Sequence, residues 1–172
     1  MKLKKIISGG QTGVDRAALD AALERGFPCG GWCPKGRRAE DGPIDPRYPL
    51  KEMPTAEYAA RTEKNVRAAD GTLVLVQGAP AGGTALTIDL AARLAKPYLV
   101  VDLDKSDDIS QVRDWLTANH IGVLNVAGPR ERLRPGIYQE ALEFLCRLLA
   151  TLPIRKRQSR PAARSGKRRS PP

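Results

Sequence analysis

Ser8-Gly9-Gly10-Gln11-Thr12-Gly13-Val14-Asp15-Arg16 is the stretch on which the fold turns. Before it stands Lys5-Ile6-Ile7, an apolar run with the character of a buried strand. After it, apolar residues fall at 14, 17, 18, 21 and 22, the i, i+3, i+4, i+7, i+8 spacing of a helix. A strand, a glycine-rich turn and a helix in succession form a unit that binds phosphate. Gly9, Gly10 and Gly13 carry no Cβ and let the backbone approach a ligand, while the helix aims its free N–H groups and positive dipole end at the turn. Thr12 is placed either to cap that helix or to donate to a ligand. The Gly-Lys-Ser/Thr ending of a Walker A loop is absent, and G-G-x-x-G is not the G-x-G-x-x-G of a dinucleotide fingerprint. The stretch is therefore an anion or nucleotide site of another kind, or a tight structural turn.

Moving outward, the first helix ends at Gly26, a C′ glycine, and Leu19 and Leu23 widen its apolar face enough to call for cover on more than one side. Asp15, Arg16 and Asp20 lie in its first two turns. Asp15 has two readings, a carboxylate that complements the helix dipole or a group that hydrogen-bonds a ligand or metal. Phe27-Pro28-Cys29-Gly30-Gly31-Trp32-Cys33 reads as a short second strand with glycines where another backbone comes close. At its end, where a NAD-binding unit places an acid for the ribose, stands Pro34-Lys35-Gly36-Arg37-Arg38. Lys35 and Arg37 suit an oxyanion, or else they are solvated loop charges. Residues 39–54, with four prolines, read as an ordered excursion or lid without regular structure.

Thr55 has the character of an N-cap for a helix that runs to about Ala69 and is terminated by Gly71, with Arg61 and Asn65 on one face at i, i+4. Thr72-Leu73-Val74-Leu75-Val76 is apolar enough for a parallel strand covered on both sides. A second glycine turn follows, Gln77-Gly78-Ala79-Pro80-Ala81-Gly82-Gly83-Thr84, and the helix behind it has apolar positions at 85, 88, 91, 92 and 95. Strands are expected over 98–102 and 121–126, with a helix marked by Ile109, Val112 and Leu116 between them. A third turn, Asn125 to Glu131, leads to a last helix with Ile137, Ala141, Phe144, Leu145, Leu148 and Leu149 on one face. His120 precedes its strand at the end away from the ligand edge and reads as structural. The alternation of strand and helix predicts an α/β fold, a Rossmann-like doubly wound, mostly parallel sheet with helices on both faces.

With 172 residues and 41% hydrophobic content, the chain is long enough for one substantial core. No run of eighteen apolar residues occurs, so no membrane span or signal segment is expected. Three cysteines without repeated spacing point to a reducing compartment, the cytoplasm. Cys29, Cys33, Cys146 and the one histidine do not make a four-ligand zinc set, so no metal-ligating side chains are assigned. The formal charge is +10, but residues 153–172 hold eight basic residues and no acid, which leaves +2 for residues 1–152. The expected organisation is a small-molecule-binding domain over 1–152 and a disordered Pro/Ser/Arg-rich tail over 153–172. That tail suits weak, salt-dependent contact with polyanions.

Four separated motifs taken together resemble the molybdenum carrier family. They are Ser8 to Arg16, Gly31-Trp32-Cys33-Pro34-Lys35-Gly36-Arg37-Arg38-Ala39-Glu40-Asp41-Gly42, Arg61-Thr62-x-x-Asn65-Val66 and Gly83-Thr84-x-x-Thr87. The similarity spans about residues 4–150 and leaves out the basic tail. The family is a Rossmann-like relative of the LOG, lysine-decarboxylase-like superfamily. The resemblance implies an oligomeric carrier of molybdenum cofactor that does no chemistry on it, the cofactor being a pterin bearing phosphate and a molybdenum oxo centre, and the carrier dealing with molybdoenzymes or cofactor-synthesis proteins. The LOG relatives imply the alternative, a phosphoribohydrolase acting on a nucleoside monophosphate, or a nucleotide-sensing domain. Their motif P-G-G-x-G-T-x-x-E ends in the glutamate that does the chemistry, and here that position is Thr87. Neither a Ser/His/Asp nor a Cys/His set replaces it, so no catalytic residue is assigned.

The expected binding site is accordingly Gly9, Gly10, Gln11, Thr12, Gly13, Asp15 and Arg16 on one wall and Gly82, Gly83 and Thr84 on the other. Lys35 and Arg37 supply countercharge and Arg61 and Asn65 flank. The ligand is molybdenum cofactor, with a nucleotide as the alternative.

Overall fold

A computed structural model of the chain describes residues 3–106 and 108–153. All but the first residue of the proposed tail thus lies outside the described residues. In chain order the elements are β1 (Lys5–Ile7), α1 (Val14–Glu24), β2 (Cys29–Gly30), β3 (Trp32–Cys33), a 3₁₀ turn (Lys35–Arg37), β4 (Arg38–Ala39), β5 (Gly42–Pro43) and β6 (Lys51–Glu52). They continue with α2 (Tyr58–Ala68), β7 (Gly71–Val76), α3 (Gly82–Arg93), β8 (Tyr98–Asp102), α4 (Ile109–Ala118), β9 (Val123–Ala127) and α5 (Ile137–Ala150). This is the α/β architecture expected from the alternation of patterns.

Five strands form one sheet in the order β2-β1-β9-β7-β8, every neighbouring pair parallel. The last strand in the chain is therefore the central one. Counted as if the chain began at β9, the order is 3-2-1-4-5, that of the doubly wound dinucleotide-binding sheet without its sixth strand. The topology is that arrangement with its first strand–helix unit moved to the C-terminus.

Helices cover both faces. α1 packs on α5 and α4 packs on α5, so these three share one face, while α2 packs on α3 on the other. The larger core lies under α1 and α5, where Ile6, Val14, Ala18, Leu124, Val126, Phe144, Leu145 and Leu148 are buried together. The alanines at 17, 18, 21 and 22 let α1 approach closely. The face under α2 and α3 holds a smaller cluster of Val66, Leu90 and Ala91.

Several local expectations shift. Residues 27–33 do not make one strand. Gly31 (φ +124°) turns the chain out of the sheet, and Trp32–Cys33 pairs instead with Lys51–Glu52. The excursion over 39–54 is not free of regular structure: β4 and β5 make an antiparallel pair and β6 is a strand. Ile44, Tyr48 and Leu50 tuck beneath α1 with Leu19 and Cys33. Leu19 thus gains the expected second cover, whereas Leu23 stays exposed.

α2 begins at Tyr58, with Glu57 rather than Thr55 at its cap. The Thr55 hydroxyl accepts from the Glu57 N–H one turn earlier, at 3.2 Å. Gly71 opens β7 instead of closing α2, because the chain is already extended at Ala69. In α3 the inward face is Thr84, Thr87, Leu90 and Ala91, so Ala92 and Ala95 point outward. The fifth strand of the sheet runs over 123–127, not 121–126, since Ile121 still closes the end of α4 through its N–H to the Leu116 carbonyl.

Gly31 carries a steric demand besides its φ, since a Cβ there would lie 2.1 Å from the Ser8 carbonyl oxygen. Gly31→Ala is expected to lower unfolding free energy by more than ~2 kcal/mol. Gly26→Ala, at φ +67° with no atom within 4 Å of the added Cβ, should cost only about 1 kcal/mol. Urea denaturation of the two variants tests this; equal losses would reject the steric account.

Candidate functional site

Three strands, β1, β9 and β7, end side by side at the carboxyl edge of the sheet, each in a glycine-containing turn. The helices after β1 and β9 lie on one face and the helix after β7 on the other. Between β9 and β7 the connections therefore part, which is where ligands bind in open α/β sheets. A crevice opens there, with a volume of about 70 Å³. Its walls include Gln11, Asp15, Arg61, Gly83, Thr84 and Arg130.

The first turn spends three of its donors within the protein. The Gln11 N–H donates to Asp15 Oδ2 (3.4 Å), the Thr12 N–H to Gln11 Oε1 (3.0 Å) and the Val14 N–H to the Pro129 carbonyl (3.2 Å). Those three donors are thus spent on the protein itself, while the N–H groups of Gly9, Gly10, Gly13, Asp15 and Arg16 have no protein acceptor among the described residues. The turn's contribution to the crevice is shape: at Gly9 a Cβ would stand 1.8 Å from Arg61 Nη1, so the missing side chain is the space the guanidinium fills. Gly10 faces Leu50 and Ile44 of the excursion, and Gly13 faces the Pro129 carbonyl.

Arg61, from α2, donates through Nη1 to Asp15 Oδ2 at 3.1 Å, and both side chains are buried, 11% and 6% exposed. Burial pushes the Asp15 carboxyl above the usual range, and the Arg61 guanidinium pulls against it. Two donors in this setting have no partner: Arg61 Nε and Gln11 Nε2, both buried. A buried donor left unmade costs about 1–3 kcal/mol, so two together at the wall of a crevice mark where an acceptor belongs.

The opposite wall is the start of α3. The Thr84 and Ala85 N–H groups both reach the Ala81 carbonyl, and the N–H groups of Gly82 and Gly83 have no protein acceptor among the described residues. No atom lies within 4 Å of a Cβ built at either glycine. The positive end of the α3 dipole therefore faces open space. At the mouth, the Arg130 guanidinium lies 4.8 Å from the centre of the Tyr58 ring, and Leu133 is 58% exposed.

Of the residues singled out in the sequence, Gln11, Asp15, Arg61, Gly83 and Thr84 line this crevice, and Gly9 and Gly82 adjoin it. Thr12, Gly13 and Arg16 face a different cavity on the other side of the first turn. The Thr12 hydroxyl joins Glu40 to Glu131, and Arg16 is paired with Asp41 (2.8 Å) and the Gly10 carbonyl (3.1 Å). Lys35, Arg37 and Asn65 line neither cavity. Arg37 is a clasp for the excursion, donating to the carbonyls of Ile44, Asp45, Tyr48 and Leu50. Asn65 takes the place of a neighbouring strand for Trp32, accepting from its N–H (3.0 Å) and donating to its carbonyl (2.9 Å). Tyr58, Thr62, Arg130 and Leu133 went unremarked in the sequence. Tyr58 and Thr62 share a helix face with Arg61, the one signal that could have found them.

Among the described residues no group of three or more His, Cys, Asp or Glu is arranged to hold a metal ion, and no helix is long and apolar enough to cross a membrane. A family model described as the circularly permutated YpsA SLOG family matches residues 6–149. The chain is also similar to a protein from Syntrophus aciditrophicus whose 1.45 Å crystal structure carries the name "Putative molybdenum carrier protein". The two are 49% identical, the match covers 86% of this chain and 94% of that one, and the TM-score is 0.83. No curated protein matches the chain.

The buried Asp15–Arg61 pair sets a stability test that needs no ligand. Arg61→Met strands a buried carboxylate and is expected to cost about 3 kcal/mol at pH 7. Adding Asp15→Asn, which keeps an acceptor for the Gln11 N–H, should return most of it. The Arg61→Met deficit should shrink as pH falls through the raised Asp15 pKa, because the protonated carboxyl needs no cation. Guanidinium melts of the single and double variants at several pH values decide it; a pH-independent deficit would exclude the stranded charge as its cause.

Proposed function

The chain belongs to the circularly permutated YpsA SLOG family, and on that footing we propose that it binds a small molecule by an oxyanion group seated in the crevice between β9 and β7. The observation that carries this reading is a pair of buried donors without a partner, Gln11 Nε2 and Arg61 Nε, on two residues that line this crevice together with Gly83 and Thr84 of α3. An oxyanion there accepts from the guanidinium, the amide and the Gly82 and Gly83 N–H groups, with the Thr84 hydroxyl beside them. Charge-assisted hydrogen bonds of this kind are among the strongest available to a binding site. Arg61 is both fixed and partly neutralised by Asp15, so Arg130 supplies the further positive charge at the mouth.

The cargo we propose is molybdenum cofactor, in line with the name borne by the 49% identical protein. The fit is one of parts. At about 70 Å³ the crevice admits the phosphate or oxo end of such a molecule and not its ring system. The pterin body would then lie across the mouth, against Tyr58, Arg130 and Leu133. The chain's own work is to bind, orient and shield this cargo, as a homo-oligomer that receives it from or passes it to cofactor-synthesis proteins or molybdoenzymes. Residues 153–172 are proposed to stand apart from this site.

One observation favours a second reading, hydrolysis of a nucleoside monophosphate. The crevice does contain a buried carboxyl group whose pKa is raised, Asp15, and a general acid needs that property. Against it, Asp15 is held by Arg61 and the Gln11 N–H. Thr87, which stands where LOG proteins carry glutamate, is spent on the Gly83 carbonyl at 2.8 Å.

Protein purified without oxygen should retain molybdenum together with a pterin mass in native mass spectrometry, and Arg61→Ala should lose both while keeping its fold. A nucleotide without metal, with free base released on incubation, would replace the carrier reading by the hydrolase. Deleting residues 153–172 should leave retention unchanged; a large loss would bring the tail into the site.

A further inference from the structure

A second cavity is larger than the crevice. A space of about 790 Å³ opens on the other side of the Gln11–Gly13 turn, between α1, α5 and the excursion. This volume is in the range of sites for small organic ligands. Its walls are mostly apolar, with the rings of Tyr48 and Tyr138 and the pyrrolidine of Pro135 among them.

The charges around it are unequal in what they have left to give. Asp20 accepts from the Tyr48 hydroxyl (2.9 Å), the Tyr138 hydroxyl (2.9 Å) and Arg47 (2.9 Å). Burial, reinforced by this carboxylate, pushes the Tyr138 phenol up to about 12, so it stays a donor. Asp41 is held by two nitrogens of Arg16, at 2.8 and 3.2 Å. Glu131 caps α5, accepting from the Gly136 and Tyr138 N–H groups at 2.6 and 2.9 Å. Glu40 takes the Thr12 hydroxyl and the Arg132 N–H. Every carboxylate of the wall is thus already engaged by the protein. The Arg132 guanidinium, by contrast, has no acceptor among the described residues, and Arg47 spends a single nitrogen, Nη2.

What remains is an apolar chamber with spare guanidinium donors at its rim. We propose that this cavity is a second small-molecule site, taking an organic acid with an aromatic or bulky aliphatic body. The acid group would lie on Arg132 and Arg47, where guanidinium and carboxylate geometries match, and the body against Tyr138 and Pro135. The Asp20 node, which ties α1, α5 and the excursion together, holds this chamber open. The cavity is lined by a different set of residues from the crevice: Arg61 does not line it, and the 11–16 and 130–131 segments lie between the two.

The test is a fluorescence titration with 1-anilinonaphthalene-8-sulfonate, an aromatic anion that brightens on leaving water. The full chain is used at about 0.15 M salt, which damps non-specific attraction to the C-terminal cations. Saturable binding is expected. Combining Arg132→Glu with Arg47→Ala should weaken it at least about tenfold, the loss expected from removing hydrogen bonds to a charged group. Arg61→Ala should leave it unchanged. Non-saturating binding, or equal binding by the Arg132/Arg47 variant, overturns the proposal. Loss in Arg61→Ala alone also overturns it, by assigning the probe to the crevice. Circular dichroism of each variant guards the comparison, and because Arg47 also donates to Asp20, Arg132→Glu alone, which touches no member of that node, must weaken binding as well; no loss in it overturns the proposal.

Discussion

β9 is the constraint on which the rest depends. It lies between β1 and β7 and, among the described residues, supplies the only sheet contact between the two halves, β2-β1 on one side and β7-β8 on the other. Until it inserts, both halves expose unpaired backbone edges, and α5, which follows it, cannot bury Leu145 and Leu148 against α1. A sheet completed by its last strand depends on contacts far apart in the chain, such as Ile6 with Leu124. Such pairings carry a loop-closure cost before they return any stability.

The same insertion builds the site. By ending between β1 and β7, β9 brings the Gly128–Glu131 turn against the first glycine turn, where the Pro129 carbonyl takes the Val14 N–H that a ligand would otherwise find. The first turn, the most conspicuous stretch in the sequence, thereby gives up part of its donor set to the protein and also serves as a shaped wall. Gln11 Nε2, Arg61 Nε and the start of α3 hold further donors without a partner among the described residues.

The excursion over 39–54 has a comparable economy. Arg37 binds four of its carbonyls, and Tyr48 anchors it on Asp20. Glu40 reaches back to the first turn, its N–H on Gln11 Oε1 at 2.9 Å. Gln11 thus has its oxygen committed to the excursion and the first turn, while its nitrogen is buried without a partner. The long proline-rich segment shapes one cavity and braces the other.

The sequence by itself determined the parts that arise from contacts near in the chain. Strand–turn–helix units, the end of α1 at Gly26, the buried face of α5 and the doubly wound class all follow from periodicity and from glycine placement. Gln11, Asp15, Gly83 and Thr84, which line the crevice, were legible as candidates because turns after parallel strands are where ligands sit in open α/β sheets. Tertiary structure alone decided which turns converge, that β9 takes the centre, and that Arg61 crosses 46 residues to hold Asp15. It also decided that Arg37 and Asn65, equally suggestive as ligand-binding types, serve backbone groups instead. The physical reason is that a guanidinium or amide has the same chemistry wherever it stands. Which acceptor it meets is set by the packing of elements distant in sequence, and no local pattern records that.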